Sequence, residues 1–163
     1  MPPERRGAGP KLLVLTRQAA LAAEAVLRDA TVAVGARVRV GGATVERMFD
    51  REQRATHGLA WLATYVEAIR QLCDYAERLH DAGALGEIEE LIVQIGLGEY
   101  LAQLLGGIPM SQGEIVRPAD VGLSIVAVAE AFCLHALGAL PNGRDRSDSS
   151  RGLHRQQRRL YVG

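Results

Sequence analysis

The chain has 163 residues, no formal net charge, 48% hydrophobic and 23% charged residues. That length suffices for one domain with one sizeable core, and the balanced charge excludes the global electrostatic pull of a protein that coats nucleic acid or a membrane surface. Aromatic residues make up only 4%, so the core must be built from Leu, Ile, Val and Ala, which suits packed helices better than a β-sandwich.

Residues 1–10 hold Arg5 and Arg6 followed by Gly and Pro and read as a flexible start. The apolar stretch after them is soon interrupted by Arg17, Gln18 and Glu24, unlike a secretory signal. A first helix is expected from about Leu12 to about Ala33. Leu12, Leu15, Ala19, Ala22 and Val26 fall at three-and-four spacing, which puts them on one face. Gly35, Gly41 and Gly42 are expected to break that pattern, and the Ala36–Val40 stretch alternates Val with Arg without making a convincing strand.

The second helix is the clearest. It starts between Thr44 and Asp50, either of which is a candidate cap, and ends near Ala82, where Gly83 supplies a stop. Leu59, Leu62, Val66, Ile69, Cys73 and Ala76 form one apolar stripe. Trp61, Tyr65, Ala68, Leu72, Tyr75 and Leu79 form a second beside it. Two adjacent stripes make a face too wide for one partner, so this helix is expected at the centre, touching at least two others.

A third helix is expected from about Leu85 to Leu105. Glu87, Glu89 and Glu90 in its first turn complement the helix dipole. Ile88, Leu91, Ile95, Gly98, Ala102 and Leu105 are read as its buried stripe. Gly106 and Gly107 end it, Ile108 folds back and Pro109 prevents continuation. A loop is expected over Ile108–Gly122, broken by Pro109, Gly113 and Pro118. The apolar segment Ser124–Leu140 is read as a last helix. The wider stretch from Leu123 holds Glu130 and His135 and barely reaches membrane-spanning length. From Arg144 onward there are six Arg against two Asp, so residues 141–163 read as a disordered basic tail.

Few residues offer chemistry. Cys73 and Cys133 read as buried, reduced thiols of a cytoplasmic protein. His57, His80, His135 and His154 do not pair at ligand spacing, and zinc needs three or four converging ligands. "GLGEY" at Gly96–Tyr100 lies inside a helical pattern, where a phosphate loop cannot form. Ser111 lacks the setting of a nucleophile elbow. The loop "GGIPMSQGEIVRPAD" is the most distinctive stretch. Its stiff backbone carries Gln112, Glu114 and Arg117, which are the candidate contacts to another domain. No catalytic, cofactor-binding or metal residue is singled out.

Two blocks are more specific: "HGLAWLATYVEAIRQ" (His57–Gln71) and "GEIEELIVQIGLGEYLAQLLGGIPMSQGEIVRP" (Gly86–Pro118). In that order they resemble the N-terminal extension of the methylsuccinyl-CoA dehydrogenases, within the FAD-dependent acyl-CoA dehydrogenase family. The resemblance covers about Phe49–Gly122. It implies a helical unit that packs on the dehydrogenase core or on a neighbouring subunit. It also implies that FAD, the CoA cleft and the catalytic carboxylate belong to the core, so that this chain alone binds no cofactor and is inactive. The resemblance stops after Gly122, which suggests a truncated or frame-shifted product, or a free-standing protein that kept only the extension.

The expectation is therefore an all-α bundle of three to four helices over residues 11–122, an extra helix over 123–140, and a disordered basic C-terminal tail. The expected role is that of an auxiliary helical domain of an acyl-CoA dehydrogenase. The alternative is a non-enzymatic interaction or dimerisation module, a homo-oligomer. Neither nucleic acid nor membrane is expected as a partner.

Overall fold

The computed structural model describes residues 9–111 and 113–137. The expected flexible start and basic tail, apart from Gly9 and Pro10, lie outside the described residues. Helix α1 spans Gly9–Val38, and a tight hairpin pairs β1 (Arg39–Val40) with β2 (Ala43–Thr44). A short helix, α2 (Glu46–Arg51), leads into α3 (Gln53–Asp81). Helix α4 (Glu87–Gly106) follows, then an antiparallel hairpin of β3 (Ile108–Ser111) and β4 (Glu114–Val116), a 3-10 turn (Pro118–Val121) and α5 (Ile125–Leu137). The all-α class holds.

Helix α3 is central, as its two stripes require. Leu62, Val66, Ile69, Cys73 and Ala76 are all buried, and Trp61, Tyr65, Leu72 and Tyr75 pack half-buried beside them. Its polar back face carries Glu67, Arg70 and Gln71, with Arg70 and Gln71 both donating to the Glu67 carboxylate. One flank of α3 meets α1: Arg17 reaches Glu77 at 2.6 Å near one end and Arg37 stands 3.7 Å from Glu52 at the other. Those two contacts make α1 and α3 antiparallel. The other flank meets α4, where Tyr65 donates to Gln103 at 2.6 Å and stacks edge-on with Tyr100 at 5.2 Å. Helix α5 closes on α1 and α4.

Several expectations need correction. The first helix does not stop before Gly35 but runs through it to Val38. Val34 and Val38 are buried at 1% and 5% exposure, and burying two valines outweighs the roughly 1 kcal/mol that an internal glycine costs. Gly41 and Gly42 both have positive φ and form the two-residue turn between β1 and β2, as a type I′ hairpin turn needs. Neither Thr44 nor Asp50 caps a helix. The cap positions are Val45 and Glu52, without side-chain bonds, and the chain bends at Glu52 between α2 and α3.

The stretch read as a loop is a hairpin. Ile108 and Val116 face each other across it, each 3% exposed, and anchor it in the core. Gly58 makes that anchoring possible: a Cβ there would lie 2.9 Å from both methyl groups of Val116. Gly107 allows the chain to turn from α4 into β3, with φ of 126°. Cys73 is buried as expected, whereas Cys133 is exposed.

The largest correction concerns α4. Most of the stripe read as buried faces outward: Ile88 is 69% exposed, Leu91 50% and Ile95 64%, with Gly98 and Ala102 exposed beyond them, whereas Leu105 packs half-buried against the core and Val93, Leu97 and Leu104 are the buried positions. Helix α4 is apolar nearly all round, so periodicity alone does not say which side turns inward.

Candidate functional site

Among the described residues, no group of three or more His, Cys, Asp and Glu converges as metal ligands. None of their helices is long and apolar enough to cross a membrane. What the chain presents is surface: a braced hairpin at one end of the bundle and an apolar face along α4.

The hairpin carries the residues singled out in sequence. Gln112 lies outside the described residues. Glu114 is exposed and accepts a bond from the Ser111 hydroxyl at 3.3 Å, across the hairpin tip. Arg117 is exposed, and its backbone N–H donates to Asp120 Oδ2 at 2.8 Å, which starts the 3-10 turn. Glu114 and Arg117 thus stand on one short structure, but they do not bond to each other.

The side chains that fix this structure to the bundle are ones the sequence reading passed over. Arg54 of α3 donates to Asp120 Oδ1 at 3.1 Å and to the Ile115 carbonyl at 3.0 Å. Arg37 of α1 donates to the Asp120 carbonyl at 3.1 Å. Asp120 is therefore held by the Arg117 N–H and by Arg54, in that order of effect, and its carboxyl sits below the usual carboxylate range. The signal available in sequence was the "RPAD" stretch, with Pro and an acid placed as at a helix start. Its partners on α1 and α3 are 83 and 66 residues away in the chain, and no local pattern reports them.

The second surface is a groove of about 350 Å³ between α1, α4 and α5, lined by Leu12, Leu15, Ala19, Leu97, Leu101 and Phe132. Gln18 and Gln94 are its polar side chains. Beyond the groove, the outer face of α4 continues with Leu91, Ile95 and Ile88. A smaller void of about 10 Å³ beneath the hairpin, among Val26, Leu62, Val116 and Val128, holds no more than a single water.

The fold defines a small helical bundle. No protein-family profile matches the chain. Over 120 residues, 74% of its length, it is 46% identical to the (2S)-methylsuccinyl-CoA dehydrogenase of Cereibacter sphaeroides. The chain is thus an acyl-CoA dehydrogenase-like segment and belongs, over that stretch, to the methylsuccinyl-CoA dehydrogenase family. It spans 22% of that relative's length.

Proposed function

We propose that the chain serves as the auxiliary helical domain of an acyl-CoA dehydrogenase of the methylsuccinyl-CoA type. The domain packs on a catalytic core, in its own subunit or a neighbouring one, and the core oxidises the α,β bond of an acyl-CoA with FAD. The observation that carries this reading is the pairing of the sequence match with an α4 whose outward face is apolar. Contiguous exposed apolar strips mark surfaces that another body covers.

The described residues do not fit FAD. The groove offers two glutamines and no cation for a pyrophosphate. No glycine-rich turn between strand and helix is present among them to cradle phosphates. No step of the oxidation is therefore assigned to the described residues, and the contribution proposed for them is binding and positioning.

The test mixes the full chain with the Cereibacter sphaeroides enzyme shortened by its matching segment. Gel filtration, flavin absorbance and turnover of (2S)-methylsuccinyl-CoA are recorded. The expected result is a colourless chain that joins a yellow, active complex. Flavin bound by the chain alone, or no complex with the core, would overturn the reading. A free-standing dimerisation module would instead give a colourless homodimer that ignores the core.

A further inference from the structure

We propose that the outward stripe of α4 is the seam on which the dehydrogenase core docks, and that the core presents there an amphipathic helix bordered by arginine or lysine. This rests on the reading that the chain works beside such a core.

The stripe comprises Ile88, Leu91, Ile95, Gly98, Ala102 and Gly106, at three-and-four spacing on one side of α4. Its first half is bulky and uncovered, with Ile88, Leu91 and Ile95 each half exposed or more and Ile92 at 52% on its margin. Its second half is small, since Gly98 and Ala102 leave the backbone open, and a Cβ at Gly98 or Gly106 would meet nothing within 4 Å. A partner helix can therefore lie close at the Gly106 end and be gripped by large side chains at the Ile88 end.

Charge selects the partner. Helix α4 has four ionisable acids, Glu87, Glu89, Glu90 and Glu99, and no Lys, Arg or His. Glu87 and Glu99 border the exposed stripe, one on each side. Packing α4 on α4 of a second copy would gather the four carboxylates of two Glu87 and two Glu99 along one seam with no cation from either helix, and like charges at an interface weigh against such a pairing. A helix bordered by Arg or Lys answers both the apolar stripe and its acidic margins. The matched relative, of which this chain spans 22%, has ample further length to supply that helix.

The test measures binding of the full chain to the flavin-loaded core described above, by titration calorimetry at two salt concentrations. Ile88→Ser with Ile95→Ser is expected to weaken binding by about a hundredfold, the scale of losing two central anchors. Glu87→Gln with Glu99→Gln should weaken it by about threefold to tenfold and reduce its salt dependence. Val32→Ser is the control, because Val32 is 73% exposed on α1, outside the stripe, and binding should not change. Urea midpoints confirm that each variant is folded.

If the unaltered chain binds the core and the α4 variants bind equally well, the seam is refuted while the auxiliary role stands. If the unaltered chain does not bind the core at all, the functional reading itself fails. If the chain is instead a dimer that the α4 variants convert to monomers, the occupant is a second copy and the proposal is overturned.

Discussion

Two residues on one helix turn separate an outward stripe from a buried one. Ile95 is 64% exposed and Leu97 is 7% exposed. Full burial of such a side chain is worth about 1.5–3 kcal/mol, and Ile95 is covered over only a third of its surface. Ile95→Ala should therefore cost less than about 1 kcal/mol. Leu97 is buried at the base of the groove between α1, α4 and α5, and its truncation enlarges that void, so Leu97→Ala should cost roughly 2–5 kcal/mol. With a urea m-value of about 2 kcal/mol/M, Leu97→Ala lowers the midpoint by roughly 1 M or more and Ile95→Ala by less than about 0.5 M. Far-UV circular dichroism at several protein concentrations gives both values and detects any self-association. A loss for Ile95→Ala as large as that for Leu97→Ala, independent of concentration, would show that α4 is rotated and that the seam argument is wrong.

Other substitutions probe the remaining features. Gly107→Ala forces a Cβ onto φ of 126° and against the Ile115 side chain. Because Ile115 is partly exposed and can swing away, the backbone strain of about 1–3 kcal/mol dominates, read as a fall of several degrees in Tm. Tyr65→Phe leaves the ring contact with Tyr100 but removes the bond to Gln103, and should cost about 1 kcal/mol in urea unfolding. Asp120 has a depressed carboxyl pKa, first through the Arg117 N–H and then Arg54. Its folded pKa lies below its unfolded value of about 3.9, so its stabilisation is fully present above that pH and is lost as pH falls below it. Asp120→Asn should flatten the acid limb of a Tm-against-pH curve, and an unchanged limb would remove Asp120 from the account. Glu67, drawn down to about 2 by Arg70 and Gln71, acts in the same direction and remains in that variant. A thiol reagent should titrate exposed Cys133 within seconds, whereas Cys73, buried and with its thiol pKa pushed up by that burial, should react only as the chain opens.

The parts of this fold that were legible in sequence are those where one face is plainly polar. Helix α3 sets Glu67, Arg70 and Gln71 against two apolar stripes, so its centre, its two neighbours and its end at Gly83 all follow from spacing. The hairpin was not legible, because Pro109, Gly113 and Pro118 look like loop punctuation. What makes Ile108–Val116 a paired structure is the seat that Gly58 leaves for Val116. Likewise Gln112, Glu114 and Arg117 could be picked out as an unusual polar cluster, but the residues that brace that cluster, Arg37 and Arg54, lie on other elements.

By itself the amino-acid sequence determined the helical class, the central place of α3 and, through two long blocks of residues, the family. Those are properties of local periodicity and of residue order. Which side of α4 turns inward was decided only by tertiary packing. A helix apolar nearly all round has no strongly preferred face of its own, and its orientation follows from Leu72 lying against Gly96 and from Tyr65 holding Gln103. The same packing decided that Ile88, Leu91 and Ile95 remain on the surface.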